Sequence, residues 1–264
     1  MDVASLLRDA LHGSGTRSPR RIFGSLLVAA AAVSALTGYH GSTTTSQQHD
    51  TTSYLVRGHV RTLVVTAHVG DVQVSGDTGG AVSVTQHLVF DGSKPSTTHR
   101  VEAGTLSLTS HCEAGEVCSV SYDITVPRAT AVQVTDDVGT VRLSGLAGQV
   151  AVLVDAGRVD LSALSGPVEA TTRAGSITGR QLSSPRASLR VPAGEIDVAF
   201  SAPPTTVIAA TDIGPITLRI PNSVPYHVAA KAAAGHVTVT VIQSTAASRM
   251  VTATTKLGSI TIEP

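Results

Sequence analysis

Apolar and polar residues alternate in short runs over most of this chain, and a glycine interrupts the alternation at regular intervals. Six copies of one pattern, a glycine followed by apolar residues spaced by two, lie at 139–143, 157–161, 194–198, 214–218, 235–239 and 258–262. Residues 175–179 form a degenerate copy, and residues 70–74 form an earlier one. From Gly139 onward the glycines advance by 18, 18, 19, 20, 21 and 23 residues. Such a period predicts a repeat fold in which stacked units share one core.

Each unit is predicted to contain a strand, a tight glycine turn, a second strand and a looser turn. A second alternating run precedes most of the glycines, as in residues 150–154 and 168–170. Glycine adopts a positive φ without a Cβ penalty, which suits a reversal between short strands. We therefore assign a turn role to Gly139, Gly157, Gly175, Gly194, Gly214, Gly235 and Gly258. After residue 54 no segment keeps the 3.6-residue spacing of an amphipathic helix over three turns.

Two all-β architectures fit this pattern. In a β-solenoid, each unit is one coil and the glycines stack in a column. In a β-sandwich, the strands pair as successive hairpins and the glycines lie at two ends. Recurrence of one pattern at one phase favours the β-solenoid, preceded by one N-terminal hydrophobic helix, and the sandwich is the alternative.

The N-terminus predicts export or membrane anchoring. Residues 1–21 are polar and contain Arg17, Arg20 and Arg21, whereas residues 22–39 carry no charge. A basic flank before an apolar run orients the N-terminus toward the cytoplasm. The run is at the short limit for a membrane-spanning helix, so a signal-anchor and a cleaved signal peptide both fit. The expected location is the cell membrane with an extracytoplasmic domain, or outside the cell after cleavage.

The remaining chain divides into a linker and one domain. Residues 40–53 are polar and low in complexity, which predicts a flexible linker. Residues 54–264 form the predicted β-repeat domain. Beyond residue 39 the net charge is −2, which leaves no basic surface for nucleic acid or anionic lipid. Aromatic residues make up 3% of the chain, too few to predict a base-stacking platform.

The two cysteines predict a local disulfide. Cys112 and Cys118 enclose five residues, and His111 and Glu113 do not complete a tetrahedral metal site. In an exported protein, a disulfide across a hairpin between residues 106–108 and 120–124 fits better.

The sequence predicts no catalytic, cofactor or metal site. It lacks a Gly-x-Ser-x-Gly motif, and its ten histidines are dispersed without a recognisable orienting partner. Asp136 and Asp137 are adjacent, so on a strand they point to opposite faces. The residue after each repeat glycine varies among acidic, basic, hydroxyl and proline side chains, which does not fit a column of calcium ligands. We expect a protein that is not an enzyme.

The motifs resemble those of a bacterial family known as the putative adhesins, whose domain also has the label of unknown function. The resemblance rests on the two cysteines followed by Ser-Val-Ser-Tyr-Asp-Ile-Thr-Val-Pro at 119–127, and on the repeats at 138–145 and 156–161. It covers roughly residues 55–264. The family's Gly-Ser-Gly-Asp turn is replaced here by Asp-Val-Gly-Thr, Asp-Ala-Gly-Arg and Arg-Ala-Gly-Ser. The resemblance implies a β-solenoid-like, cell-surface, non-enzymatic domain and supplies no catalytic residues.

Two functions follow as expectations. The first is an adhesin or structural module of the cell envelope that contacts cell-wall polymer, an envelope protein or a second copy of itself. The second is a membrane-anchored sensor of envelope stress, which needs a retained anchor. The C-terminal strand at 258–262 has no element after it, so it is predicted to be an open edge that promotes self-association.

Overall fold

The computed structural model of the chain describes residues 47–113 and 117–264, and the described part is all β. The strands are β1 (Gln48–Val56), β2 (Thr62–Val69), β3 (Val72–Asp77), β4 (Val82–Phe90), β5 (Ser96–Glu102), β6 (Thr105–His111), β7 (Cys118–Pro127), β8 (Ala131–Ser144), β9 (Val150–Ser162), β10 (Val168–Leu182), β11 (Arg186–Phe200), β12 (Thr206–Ile213), β13 (Ile216–Arg219), β14 (His227–Ala234), β15 (Val237–Val239), β16 (Met250–Leu257) and β17 (Ile260–Glu263). The predicted head at 1–21, the apolar segment at 22–39 and linker residues 40–46 lie outside the described residues. No helix within the described ranges is long and apolar enough to cross a membrane.

The alternation in the sequence becomes alternation of burial in the strands. In β4, Val82, Val84, Leu88 and Phe90 are buried. Ser83 and Val89, which alternate with them, are half-buried. Because successive side chains of a strand point to opposite faces, one face of each strand contributes to the core. The buried apolar side chains form one hydrophobic core cluster from Val56 to Ile262.

Consecutive repeat units pair parallel and in register. Gly139 pairs with Gly157, Gly157 with Gly175, and Gly175 with Gly194, so β8, β9, β10 and β11 lie side by side with their repeat glycines aligned. The next unit, β12 and β13, continues this order beside β11. The pairing between these units is therefore parallel, not that of successive antiparallel hairpins.

The strands form one open 17-stranded sheet with two layers. Strand segments that precede the repeat glycines pair with one another in layer I, and segments that follow the glycines pair in layer II. Layer I contains, in spatial order, β5, β6, β2, the first halves of β8 to β11, β12, β16 and β14. Layer II contains β1, β4, β7, β3, the second halves of β8 to β11, β13, β17 and β15.

The spatial order of the last units differs from their chain order. The C-terminal unit, β16 and β17, pairs on one side with β12 and β13 and on the other with β14 and β15. The prediction that the C-terminal strand is an open edge is therefore wrong. The unpaired edges at this end of the sheet belong to β14 and β15, because β17 fills the place between β13 and β15.

Antiparallel strands cover the opposite end of the stack. In layer II, β4 pairs antiparallel with β7 and with β1, and in layer I, β5 pairs antiparallel with β6. Strand β1 begins at Gln48, so the flexible linker predicted for 40–53 is wrong for the part from Gln48 onward. That part has polar side chains that are mostly exposed, and its backbone is held by hydrogen bonding to β4.

The repeat glycines lie at the corners where layer I passes into layer II. Strands β8 to β11 each continue through their glycine. The φ angles lie between 138° and 152° at Gly157, Gly175, Gly194, Gly214, Gly235 and Gly258. In addition, a Cβ on each of these residues would overlap the carbonyl oxygen of the adjacent repeat glycine in the stack. Glycine is therefore required at these corners both for its φ angle and for the close approach of neighbouring units.

Candidate functional site

The structure contains the predicted disulfide between Cys112 and Cys118. The predicted hairpin around it is wrong, because β6 and β7 do not pair with each other. Strand β6 pairs with β2, and β7 pairs with β3. The disulfide therefore joins the end of β6 to the start of β7 at a corner between the two layers. In the neighbouring unit, β2 and β3 meet at Gly70, and the backbone of Val120 in β7 lies beside Gly70, where other units have a glycine.

The glycines predicted as turn residues all lie in one column. Its spatial order is Gly70, Gly139, Gly157, Gly175, Gly194, Gly214, Gly258 and Gly235, which follows the order of the units and not the order of the chain. The residues that follow these glycines are half-buried or exposed. The column thus shapes the corner, and within the described residues no group of three histidine, cysteine or acidic side chains could hold a metal ion.

Two histidines have neighbours that the sequence did not reveal. The Nδ1 atom of His68 lies 2.6 Å from Oδ2 of Asp137, and the ring of His111 lies edge-on to His68 at 5.8 Å between centroids. The partners His68 and Asp137 are 69 residues apart in the chain. Only the parallel pairing of β2 with β8 brings them together, so no local signal in the sequence could have found this pair.

His87 lies between a hydroxyl and a carboxylate. Its Nδ1 atom is 3.2 Å from Oγ1 of Thr51, and its Nε2 atom is 3.1 Å from Oδ2 of Asp123. This order resembles that of a hydrolase triad, but the side chains of His87 and Asp123 are 44% and 53% exposed on the outer face of layer II. A catalytic triad acts from a site that excludes water and holds an oxyanion. The arrangement instead fits a solvated cross-strand cluster.

Asp136 and Asp137 point to opposite faces of β8, as predicted. Asp137 is exposed, whereas Asp136 is only 1% exposed and neither of its carboxylate oxygens has a hydrogen-bond partner among the described residues. Burial, together with the nearby carboxylates of Asp137 and Asp71, raises the pKa of Asp136 to about 7. Asp136 is therefore a buried carboxyl group that holds its proton through the acidic range.

The outer face of layer I carries two adjoining depressions that we call the layer I groove. The first has a volume of about 270 Å³ and is lined by Gln133, Thr135, Ala151, Leu153, Glu169 and Thr171, with parts of the strand backbone. The second has a volume of about 210 Å³ and is lined by Gln149, Pro167, Glu169, Arg186, Ser188, Thr206 and Ile208, among others. Glu169 belongs to both depressions. The groove therefore runs from β8 to β12, across the direction of the strands.

The layer I groove combines polar groups with aliphatic surface. The side chains of Glu169, Arg186 and Gln133 make no hydrogen bond or ion pair with another residue in the described ranges. Leu153 and Ile208 are 37% and 46% exposed there. Carboxylate, guanidinium, amide and hydroxyl groups can each bind a polar ligand, and the aliphatic side chains can contact its apolar parts. No local pattern in the sequence indicates this groove, because its residues come from separate units that only the parallel pairing brings side by side.

Known proteins with related structures include several with adhesin names. No family model matches the chain, and no curated protein matches it. The chain is similar to the crystal structure of a putative adhesin from Bacteroides fragilis, with 15% identity over 83% of this chain and 98% of that one, at a TM-score of 0.48. It is also similar to a putative cell adhesion protein from Clostridium sporogenes (13% identity, 81% and 99% covered, TM-score 0.34) and to a putative lipid binding protein from Parabacteroides distasonis (10%, 81% and 96%, TM-score 0.33).

Proposed function

We propose that the described part of this chain is a β-solenoid-like interaction module of the cell envelope that is not an enzyme. It uses the layer I groove to bind an extended polymer or an extended segment of an envelope protein. The observation that carries this proposal is the groove itself, which spans five strands from β8 to β12 and presents unpaired polar side chains along its length. The basic flank and apolar segment of the N-terminus support an extracytoplasmic location.

The parallel register explains why an extended ligand fits this surface. Equivalent side chains of adjacent units lie on neighbouring strands, about 4.8 Å apart. Gln133, Ala151, Glu169, Ser188 and Ile208 form one such row, because each pairs with the next across the stack. A ligand that lies along this row meets a polar or apolar contact on every strand. Repeat proteins commonly bind extended partners on surfaces of this kind.

Co-sedimentation of the full chain with isolated cell-wall material tests this proposal. We expect saturable pelleting of the unmodified chain. The double substitution Glu169→Gln and Arg186→Gln should weaken binding about tenfold, which corresponds to about 1.4 kcal/mol. Glu195→Gln is the matched control, since it removes an exposed carboxylate from layer II.

Two results would contradict the proposal. One is the absence of saturable binding to wall material, to intact cells and to solubilised envelope proteins. The other is an equal loss of binding in the double variant and in Glu195→Gln, because the loss would then not be specific to the layer I groove.

A further inference from the structure

The outer face of layer II carries four arginines, and they differ in their partners. Arg142 contacts Asp71 at 3.0 Å and Asp160 at 3.8 Å. Arg219 contacts Asp197 at 2.5 Å and Glu263 at 3.2 Å. Each of these two guanidinium groups is therefore neutralised by carboxylates of neighbouring strands.

The other two arginines, Arg158 and Arg180, have no such partners. Their side chains make no ion pair or hydrogen bond with another residue in the part of the chain that the structure describes. Both are exposed. An arginine side chain remains charged at every physiological pH, so these two groups present unpaired positive charge on this face.

Arg158 and Arg180 line the same cavity, which we call the arginine pocket. It has a volume of about 340 Å³, and its other lining residues are Asp160, Leu161, Ser162 and Thr178. The register of β9 and β10 places Asp160 beside Thr178 and Ser162 beside Arg180. Arg158 lies four residues before Ser162, so the Cα positions of the two arginines are roughly 13 Å apart along the strand direction, at opposite ends of the pocket.

The polar groups between the arginines favour an anionic ligand. Ser162 and Thr178 supply hydroxyl groups that can donate hydrogen bonds to it. Asp160 is the one carboxylate in the lining, and Arg142 lies 3.8 Å from it on the side of β8. The two unpaired guanidinium groups thus outweigh the charge of Asp160. Guanidinium groups bind phosphate and carboxylate oxygens through paired, charge-assisted hydrogen bonds.

We propose that the arginine pocket binds oxyanion groups of an anionic polymer, with one anionic group contacted by Arg158 and another by Arg180. The spacing of the two arginines suits a chain that carries repeated negative groups better than a single small anion. The site lies on layer II, whereas the layer I groove lies on the other layer. Anion binding here is therefore independent of the proposed function of the groove.

Binding of the full chain to immobilised polymers tests the pocket and distinguishes the source of the oxyanion. The probes are poly(glycerol phosphate), polygalacturonate and neutral dextran. We expect binding to at least one anionic polymer, binding that weakens as salt concentration rises, and no binding to dextran. Binding to the phosphate polymer alone identifies phosphate as the ligand group, and binding to polygalacturonate alone identifies carboxylate.

Single substitutions locate the binding. Arg158→Gln and Arg180→Gln should each weaken binding to the anionic polymer about tenfold. Arg190→Gln is the matched control, because Arg190 is an exposed, unpaired arginine on layer I, and it should change binding less than about twofold by the same scale. The proposal is overturned if neither anionic polymer binds, if dextran binds equally, or if Arg190→Gln weakens binding as much as the pocket variants do.

Discussion

The position three residues before a repeat glycine lies close to the adjacent unit at the corner, and in some units it carries a polar side chain. Three threonines at this position each lie within hydrogen-bond distance of the glycine carbonyl of the adjacent unit: Thr172 of Gly157 at 3.5 Å, Thr211 of Gly194 at 3.4 Å and Thr255 of Gly214 at 3.2 Å. Asp136 lies at the same position before Gly139, and Gly70 is the repeat glycine of the adjacent unit. Asp136 therefore takes the place that threonine takes in three other units, but its carboxylate oxygens have no hydrogen-bond partner among the described residues.

We expect Asp136 to make the stability of the fold depend on pH. Its pKa is about 7 in the folded chain and near 3.8 when exposed. Between these values the folded state keeps a proton that the unfolded state has released. The contribution of Asp136 to stability is therefore greatest below about pH 4, falls as pH rises to about 7 and then levels off. The total loss should be roughly 2–4 kcal/mol. Urea unfolding of the full chain at a series of pH values measures it.

Two variants isolate this contribution. Asp136→Thr places at this position the residue that three other units have there. It should remove the loss between pH 4 and 7, and the variant should be more stable than the unmodified chain at pH 8. Glu169→Gln removes an exposed carboxylate and should leave the pH dependence unchanged. The other titratable groups that act on this site are His68, Asp71 and Asp137. If Asp136→Thr keeps the pH dependence of the unmodified chain, the assignment to Asp136 is wrong.

Gly157 should not tolerate a side chain. Its φ is 149°, and an added Cβ would overlap the carbonyl oxygen of Gly139 in the adjacent strand. Gly157→Ala should therefore lower the free energy of unfolding by about 3 kcal/mol or more, through backbone strain and displacement of the neighbouring unit. Gly80→Ala is the matched control, because no atom lies within 4 Å of a Cβ there. Denaturant unfolding of both variants compares them, and similar midpoints would contradict the role of the glycine column.

At the scale of elements, the two layers meet at corners of two kinds. Most units have a glycine at the corner from layer I to layer II. In the unit formed by β6 and β7, the Cys112–Cys118 disulfide joins the two strands there. At the glycine corners neighbouring glycines approach closely, as Gly139 does to Gly70. Gly70 is followed on its other side by the backbone of Val120 in β7, not by a glycine. The disulfide therefore joins the end of β6 to the start of β7 at a corner that has no repeat glycine.

The unpaired edge of β14 should allow self-association. The His227 N–H donates to the Arg249 carbonyl at 2.8 Å, which directs His227 toward β16. Since backbone groups alternate in direction along a strand, the N–H groups of Val228, Ala230 and Ala232 point away from β16. Lys231 is the one lysine or acidic residue in this strand. An edge with so little charge offers hydrogen-bonding groups to another strand.

Substitution at Ala230 tests this edge. Ala230→Pro removes an N–H that has no partner within the sheet, so it should leave the fold intact and reduce concentration-dependent association of the full chain. Ala230→Val keeps the N–H and should associate as the unmodified chain does. Sedimentation velocity over a concentration series measures the three proteins in one buffer. Equal association of the proline and valine variants, or a strictly monomeric unmodified chain, would show that this edge does not mediate association.

At the scale of the whole described stack, the two ends are different. At one end the antiparallel strands β1, β4 and β5 cover the core, and Leu106, Leu108 and Tyr122 are fully buried. At the other end, Val228, Ala230 and Val239 are only partly buried against the core. Between these ends, layer I carries the groove and layer II carries the arginine pocket, so the two proposed binding surfaces use different faces of one scaffold.

The sequence alone determined the unit of this protein. The alternation of apolar residues, the regular recurrence of the glycines and the Cys112–Cys118 disulfide were all predicted, because each depends on residues close together in the chain. Opposite orientations of Asp136 and Asp137 were predicted for the same reason, since the alternation of side chains along a strand is a local property.

Only the tertiary structure decided which units are neighbours. Backbone hydrogen bonding along a strand edge hardly depends on side chains, so similar units can pair in more than one order. In this structure β16 and β17 lie between β12–β13 and β14–β15. That order moved the open edge from the C-terminal strand to β14. The partners of His68 and the burial of Asp136 likewise depend on β2 pairing with β8, a contact between residues far apart in the chain. Side-chain packing in the core decides which units are neighbours, because the backbone edges of the units are nearly equivalent.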